Sequence, residues 1–218
     1  MNPESSYPSL RFLSEWSEIR KGKNRLPHWD ANRIACFITF RLADSLPLDL
    51  LKNWRVERDQ WIKENPRPWD HAAETEFHKR FSKRIDGMLD RGYGSCLLAD
   101  GRFAKEVSTT LAAKDAQQYL LHSWVIMPNH VHVLMSPLEG GPLPSIVGAW
   151  KRFSATRINK ARGESGGIWQ KDYFDRLVRD WDHFVNIARY IRRNPEKAGW
   201  KRDDLASFEA PWIERLLS

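Results

Sequence analysis

Residues 119–135 read YLLHSWVIMPNHVHVLM, two apolar runs rich in β-branched residues on either side of Pro128-Asn129. Two such runs around a two-residue turn read as an antiparallel hairpin. In its second arm His130 and His132 stand at i and i+2. A strand points alternate side chains to one face, with about 7 Å between their backbone positions. Both imidazoles therefore share a face, where they hold one ion or serve as hydrogen-bonded residues of a sheet; the H-x-H spacing alone leaves both readings open. As ligands, two neutral nitrogens fill only part of a coordination shell, leaving positions for a third protein ligand, water or a phosphate oxygen.

Working outward, residues 103–114 read as a helix opening after Asp100-Gly101, with Val107 and Leu111 on one side. Residues 50–90 place Leu51, Trp54, Trp61, Phe81, Ile85 and Leu89 at helical spacing in charged surroundings. The interruption at Asn65-Pro66-Arg67-Pro68 makes them two helices joined by a Pro-rich turn. Residues 34–42, IACFITFRL, are the first strand, and residues 1–30, broken by Pro3, Pro8, Gly22 and Pro27, an arm. On the other side, 144–160 reads as a helix, 163–167 as a loop and 168–178 as a strand-like segment. Asp180 or Asp182 caps a helix from Trp181 to about Asn194, where Pro195 stops it.

That last helix carries an apolar stripe of Phe184, Ile187, Ala188 and Ile191. At about 100° per residue Tyr190 flanks the stripe, so its hydroxyl reaches a site at the rim, and Asn194 stacks one turn further on the same side. The same pattern also describes a packing tyrosine and an Asn-Pro helix stop. A phenol with a pKa near 10 attacks poorly at neutral pH unless a nearby cation stabilises the phenolate or polarises its target.

Of 218 residues, 41% are hydrophobic and 29% charged, and no apolar run approaches the roughly 20 residues of a membrane span, so a membrane partner is not expected. Residues 1–24 show no signal-peptide h-region, making a cytoplasmic location the expectation. Cys36 and Cys96 lie in apolar settings without CxxC spacing and read as inert thiols. The net charge is +7, and residues 150–201 alone hold 13 Lys and Arg against six Asp and Glu, the same excess. A local basic face suits a polyphosphate partner, or is a solvated face with none. Lys151, Arg152, Arg157, Arg176, Arg179, Arg192 and Arg193 are the DNA-contact candidates it offers. Trp150, Trp169, Trp181 and Trp200 fall in the same segment, where an exposed ring stacks on a base and a buried one builds core; Trp169 joins the DNA-contact candidates.

The runs WVIMPNHVHVLMSP at 124–137 and ARYIRRNPEKAG at 188–199 resemble the HUH motif and nucleophile helix of the single-strand HUH tyrosine transposases, and among them the REP-associated tyrosine transposase group. The likeness extends from LPHWD at Leu26 through FITFRLADSLP, AWKRFSATRIN and IWQKDYFDRLVRD to about Trp200. It implies an α+β fold, a ferredoxin-like antiparallel sheet with helices on one face, occupying residues 31–202 with a helical insertion at about 50–93 and a tail at 203–218. It further implies that His130, His132 and Asn194 hold Mg²⁺ or Mn²⁺ and that Tyr190 is the nucleophile. The partner implied is single-stranded or hairpin DNA of palindromic REP type with a short flanking guide sequence, cut through a 5′-phosphotyrosine by a protein expected to be a monomer instead of a homodimer. Glu196, where the group more often has an apolar residue, and the charged 50–93 segment depart from the pattern. The rival readings are a hairpin-binding or regulatory protein of the same ancestry with unused catalysis, and a metalloprotein with no nucleic-acid partner.

Overall fold

The computed structural model describes residues 10–13, 20–21, 29–30, 33–66, 69–138 and 141–218. Most of the 1–30 arm, Leu26 to His28 of the LPHWD run, and Arg67-Pro68 of the Pro-rich turn lie outside them.

The centre is a five-stranded sheet of β1 (Cys36–Arg41), β2 (Tyr119–Met127), β3 (His130–Pro137), β4 (Phe174–Leu177) and β5 (Ser207–Glu209). The order is β4-β1-β3-β2-β5, with every neighbouring pair antiparallel. β3 separates β1 from β2 and β1 separates β3 from β4, so the connections β1 to β2 and β3 to β4 join parallel strands and must cross over. Each crossover uses a helix, α4 (Gly101–Ala112) for the first and α5 (Leu143–Arg162) for the second. Two interleaved βαβ units of this kind make the ferredoxin-like topology, and their common hand puts both helices on one face. There Ile38, Phe40, Ile126, Val131 and Val133 pack against Val107, Leu111, Val147 and Trp150.

Alternation turns Phe37, Val125, Met127 and Leu134 to the opposite face. The expectation of helices on one face holds for the crossovers only. α6 (Trp181–Lys197) and α7 (Pro211–Leu217) cover the second face through Phe184, Ile187, Ala188, Ile191 and Ile213. Phe37, Val125, Met127 and Leu134 make part of that face apolar, and that part requires a cover of its own. Residues 203–218 supply part of it: the expected tail is instead the edge strand β5 plus α7, with Trp212 and Ile213 buried.

Two further expectations are corrected. In 168–178 the pairing is interrupted: Trp169 bridges Leu42, with Ala43 N to Ile168 O and Gln170 N to Arg41 O both at 2.9 Å, the carbonyls of Lys171 and Asp172 turn to Lys151 Nζ, and the continuous strand is β4. Pro195 does not stop α6 at Asn194. Its missing N–H falls one turn before the end, and the helix closes through Trp200 N to Pro195 O at 2.8 Å and Gly199 N to Glu196 O at 3.0 Å. This is a Schellman ending, with Gly199 at φ 80° supplying the left-handed residue it requires. Of the two candidate N-caps, Asp180 accepts from His183 N at 2.7 Å.

The 50–93 insertion comprises α1 (Leu48–Glu64), α2 (His71–Phe77), a π-turn at His78–Ser82 and α3 (Lys83–Leu89). It has a small core of its own, with Trp54, Trp61, Phe81, Ile85 and Leu89. Cys36 is buried and Cys96 partly so, both free thiols.

Candidate active site

Register sets the geometry. His132 pairs with Thr39 on β1 and Val125 on β2, and His130 pairs with Arg41 and Met127, so both imidazoles emerge on the face beneath α6. Their Nε2 atoms approach to 3.1 Å. Two nitrogens on one ion at metal–nitrogen distances near 2.1 Å stand about 3.0–3.4 Å apart for bond angles of about 90–109°.

The outer nitrogens are held as well. His130 Nδ1 lies 2.8 Å from Asn129 Oδ1, while Asn129 Nδ2 donates to Leu89 O at 3.2 Å and Tyr93 O at 3.1 Å. Two carbonyls take the amide hydrogens, so Oδ1 is the acceptor and His130 Nδ1–H the donor. The network thereby assigns the tautomer that leaves a lone pair on Nε2. His132 Nδ1 is 2.7 Å from Thr39 Oγ1, a hydroxyl that can donate or accept and so serves either tautomer. Burial pushes His130 down to about 3 and His132 well below the usual imidazole range, Lys197 adding to both, so each ring stays in its neutral, ligand-competent form.

Tyr190 comes from α6. Its hydroxyl is 3.5 Å from His132 Nε2, and its ring meets Phe37 edge-on at 5.9 Å. Burial, then the charges of Asp86 and Asp90, raise its pKa well above the ordinary phenol value. Asn194, one turn on, is fully buried; its side chain lies near enough to the Tyr190 hydroxyl to pull that group's pKa down, but neither Oδ1 nor Nδ2 has a partner at ordinary hydrogen-bond distance. A buried amide left unmatched costs roughly 1–3 kcal/mol and is the mark of a missing ligand. Two facing imidazole nitrogens and an orphaned amide oxygen fit a divalent ion, with positions left for water and phosphate oxygens. Among the described residues no group of three or more His, Cys, Asp and Glu side chains offers another metal site.

The four residues expected to form the site are thus on one face, three of them sharing a ring-and-nitrogen contact. Sequence reasoning missed what surrounds them. Asn129 looked like turn material, Thr39 like an ordinary strand residue, and the insertion had no role. The insertion brings Asp86, raised to about 7 by burial and by Asp90, with the Tyr190 hydroxyl, Lys197 and Arg176 pulling it down.

The DNA-contact candidates scatter. Arg176 is near the site, lining a cavity with Tyr190 and Asp86. Arg193, on α6, is exposed. Lys151, Arg152 and Arg157 sit on α5, beyond the sheet from the histidines, and Arg157 pairs with Glu106 at 3.3 Å. Arg179 pairs with Glu74 at 3.3 Å, and Arg192 makes a two-point pair with Glu209 at 3.0 and 2.6 Å. Trp169 is 9% exposed, donates to Ser154 Oγ at 2.9 Å and lies edge-on to Phe40, so it is core and not a stacking platform. A large flat ring with one donor was equally suited to either place. No helix among the described residues is long and apolar enough to cross a membrane.

Known proteins are similar to parts of the chain. Residues 99–194 match the family described as Transposase IS200 like, a span that contains both histidines, Tyr190 and Asn194 but not the insertion. A putative REP-associated tyrosine transposase of Haemophilus influenzae is 31% identical over 85 residues, 34% of this chain and 48% of that protein. A REP-associated tyrosine transposase of Escherichia coli is 24% identical over 90 residues, 41% of this chain and 52% of that one. The chain spans about half the length of the curated relatives it matches. A solved REP-associated tyrosine transposase bound to a REP hairpin aligns at 15% identity and TM-score 0.41, covering 82% of this chain and 76% of the other. From the turn before α4 to Asn194 on α6, the chain is thus similar to the transposase IS200-like family.

Proposed function

We propose that the chain is a metal-dependent single-strand DNA endonuclease and strand transferase that cuts and rejoins hairpin DNA of REP type through Tyr190. The observation that carries this reading is the convergence of His130 Nε2 and His132 Nε2 at 3.1 Å with the Tyr190 hydroxyl 3.5 Å from the second of them. Tyr190 Oη attacks the scissile phosphorus, forming a 5′-phosphotyrosine and releasing the 3′-oxygen as a hydroxyl; attack by that hydroxyl reverses the step. Mg²⁺ or Mn²⁺ held by His130, His132 and Asn194 would supply positive charge that polarises the phosphate and favours phenolate. Asn129 and Thr39 keep the imidazoles turned to that ion. The chain's basic residues, Arg193 foremost because it is exposed and next to α6's active face, neutralise phosphates.

Burial of Tyr190, reinforced by the charges of Asp86 and Asp90, keeps the phenol protonated and favours a second reading, hairpin binding with catalysis unused. One experiment separates them. Wild type and Tyr190→Phe are incubated with hairpin oligonucleotides and Mn²⁺ and resolved on a denaturing gel with peptide mapping. The nuclease reading requires a DNA–peptide adduct at Tyr190 that disappears in Tyr190→Phe and in metal chelator. Hairpin binding without an adduct leaves the second reading, and an adduct on Tyr173 would defeat the assignment.

A further inference from the structure

Between the insertion, β1, β4 and α6 lies a cavity of ≈ 230 Å³ whose inner wall is Tyr190 itself. Phe37, Phe77 and Phe174 contribute three phenyl rings, while Asp86, Arg176 and Asn186 contribute polar groups. Ile85 and Ile187 add aliphatic surface, and Thr39, His78, Ser82, Lys83 and Asp175 complete the lining. Arg176 Nε is buried and has no hydrogen-bond partner, a donor that nothing in the described residues satisfies. The space is smaller than the roughly 300–1,000 Å³ of pockets for drug-sized ligands. It suits one planar ring system.

Resting on the reading that Tyr190 attacks DNA, we propose that this cavity receives a single unpaired nucleobase flanking the scissile phosphate, stacked on the phenyl rings. A phosphate would find the cations Arg176 and Lys83 offset by the carboxylates Asp86 and Asp175, and a bare sugar would leave the three phenyl rings without an aromatic partner. A base presents an aromatic face to the rings, and its ring nitrogens or carbonyls accept from the Arg176 guanidinium that lines the cavity. The extruded base would anchor the strand and hold the adjoining phosphorus before Tyr190. One wall of the cavity, with Phe77, Ile85 and Asp86, belongs to the insertion, so that segment completes a base pocket that the 99–194 domain lacks alone.

The test uses the full chain in metal chelator with a hairpin oligonucleotide bearing single-stranded extensions on both sides of the stem. An abasic residue is walked through the extensions and affinity measured at each position. At one position, base removal should weaken binding by roughly 5- to 100-fold, the range of base–aromatic stacking. Asn186→Trp, which fills the cavity from an exposed helix position, should weaken the intact oligonucleotide to the same degree and lose sensitivity to that abasic site. Phe77→Leu keeps apolar packing but removes a ring, and should give a smaller loss at the same position; circular dichroism checks that both variants fold. 5-Iodouracil at the sensitive position should crosslink to Phe37, Phe77 or Phe174. A flat abasic series, or a sensitive position unaffected by Asn186→Trp with crosslinks elsewhere, overturns the proposal. A Tyr190 adduct with a flat series removes the pocket and keeps the nuclease, whereas a sensitive, coupled position without any adduct keeps the pocket and removes the nuclease.

Discussion

Lys197 of α6 and Asp90, at the end of the insertion, form an ion pair with Nζ 2.9 Å from Oδ2, and the same ammonium stands 5.6 Å from the centre of the Tyr190 ring. Asp90 is 11% exposed and its Oδ1 is buried without a hydrogen-bond partner, so its contact with Lys197 runs through Oδ2. Lys197 itself is 54% exposed, and solvent screening keeps the pair nearer the surface than the buried scale. Lys197→Gln should lower folding stability by about 1 kcal/mol, the loss shrinking as salt is added. Urea denaturation at low and high salt checks this, and an unchanged midpoint at low salt would mean the pair holds nothing.

Asn194 should trade stability for metal. Replacing its orphaned amide with leucine removes a buried, unmatched polar group, so Asn194→Leu without metal should be more stable than wild type by roughly 1–3 kcal/mol. It should also lose much of the rise in Tm that Mn²⁺ gives wild type. A variant that is less stable without metal, or keeps the full Mn²⁺ shift, would return Asn194 to a packing role.

His122 provides an acid-side handle away from the site. Burial pushes it down to about 3, and its Nε2 is 2.8 Å from Ser136 Oγ. An unfolded imidazole titrates near 6.5, so between those values the unfolded chain carries a proton that the fold refuses. Stability is therefore fully present above about pH 6.5 and falls as pH drops toward 3, by up to about 1.4 kcal/mol per pH unit from this group. His122→Gln should make that slope shallower by about one proton in unfolding measured across pH. Equal slopes would show that His122 titrates alike in both states.

Arg192 and Arg193, adjacent in sequence, should part in function. Arg192 is committed to Glu209 and to Leu217 O at 2.9 Å, tying α6 to β5 and α7. Arg192→Ala should cost about 1–2 kcal/mol of stability and change the salt dependence of DNA binding little. Arg193 is exposed, and Arg193→Ala should leave stability within about 0.5 kcal/mol and reduce the salt slope by about one. Reversal of the two in paired denaturation and salt-titration series would reverse the assignment.

Periodicity made the hairpin, the first strand and the four long helices legible, because each buries one face whose spacing is written in consecutive residues. The shared face of His130 and His132, and the rim position of Tyr190, follow from the same local rule. Side-chain partners brought by distant segments were not legible. Arg192 reads as a free cation until β5 supplies Glu209, and Trp169 as a stacking ring until Ser154 and Phe40 enclose it. Asp86 had no visible role because nothing local says that α3 packs toward α6. The C-terminal strand was missed for a similar reason: three residues are too few for an alternation to register, and the edge of β2 decides it.

The position of Asn129 gives the insertion a say in imidazole chemistry. An asparagine amide has two nearly equal orientations, and here the choice is made by Leu89 O and Tyr93 O, which only an amino group can satisfy. Were that segment to lift away, the amide could rotate, offer its amino group to His130 Nδ1, and drive the ring proton to Nε2, the nitrogen directed at His132. A protonated Nε2 cannot ligate. Retraction of a segment distant in sequence would thus be recorded, through one reversible half-turn of a side chain, as a closed coordination position.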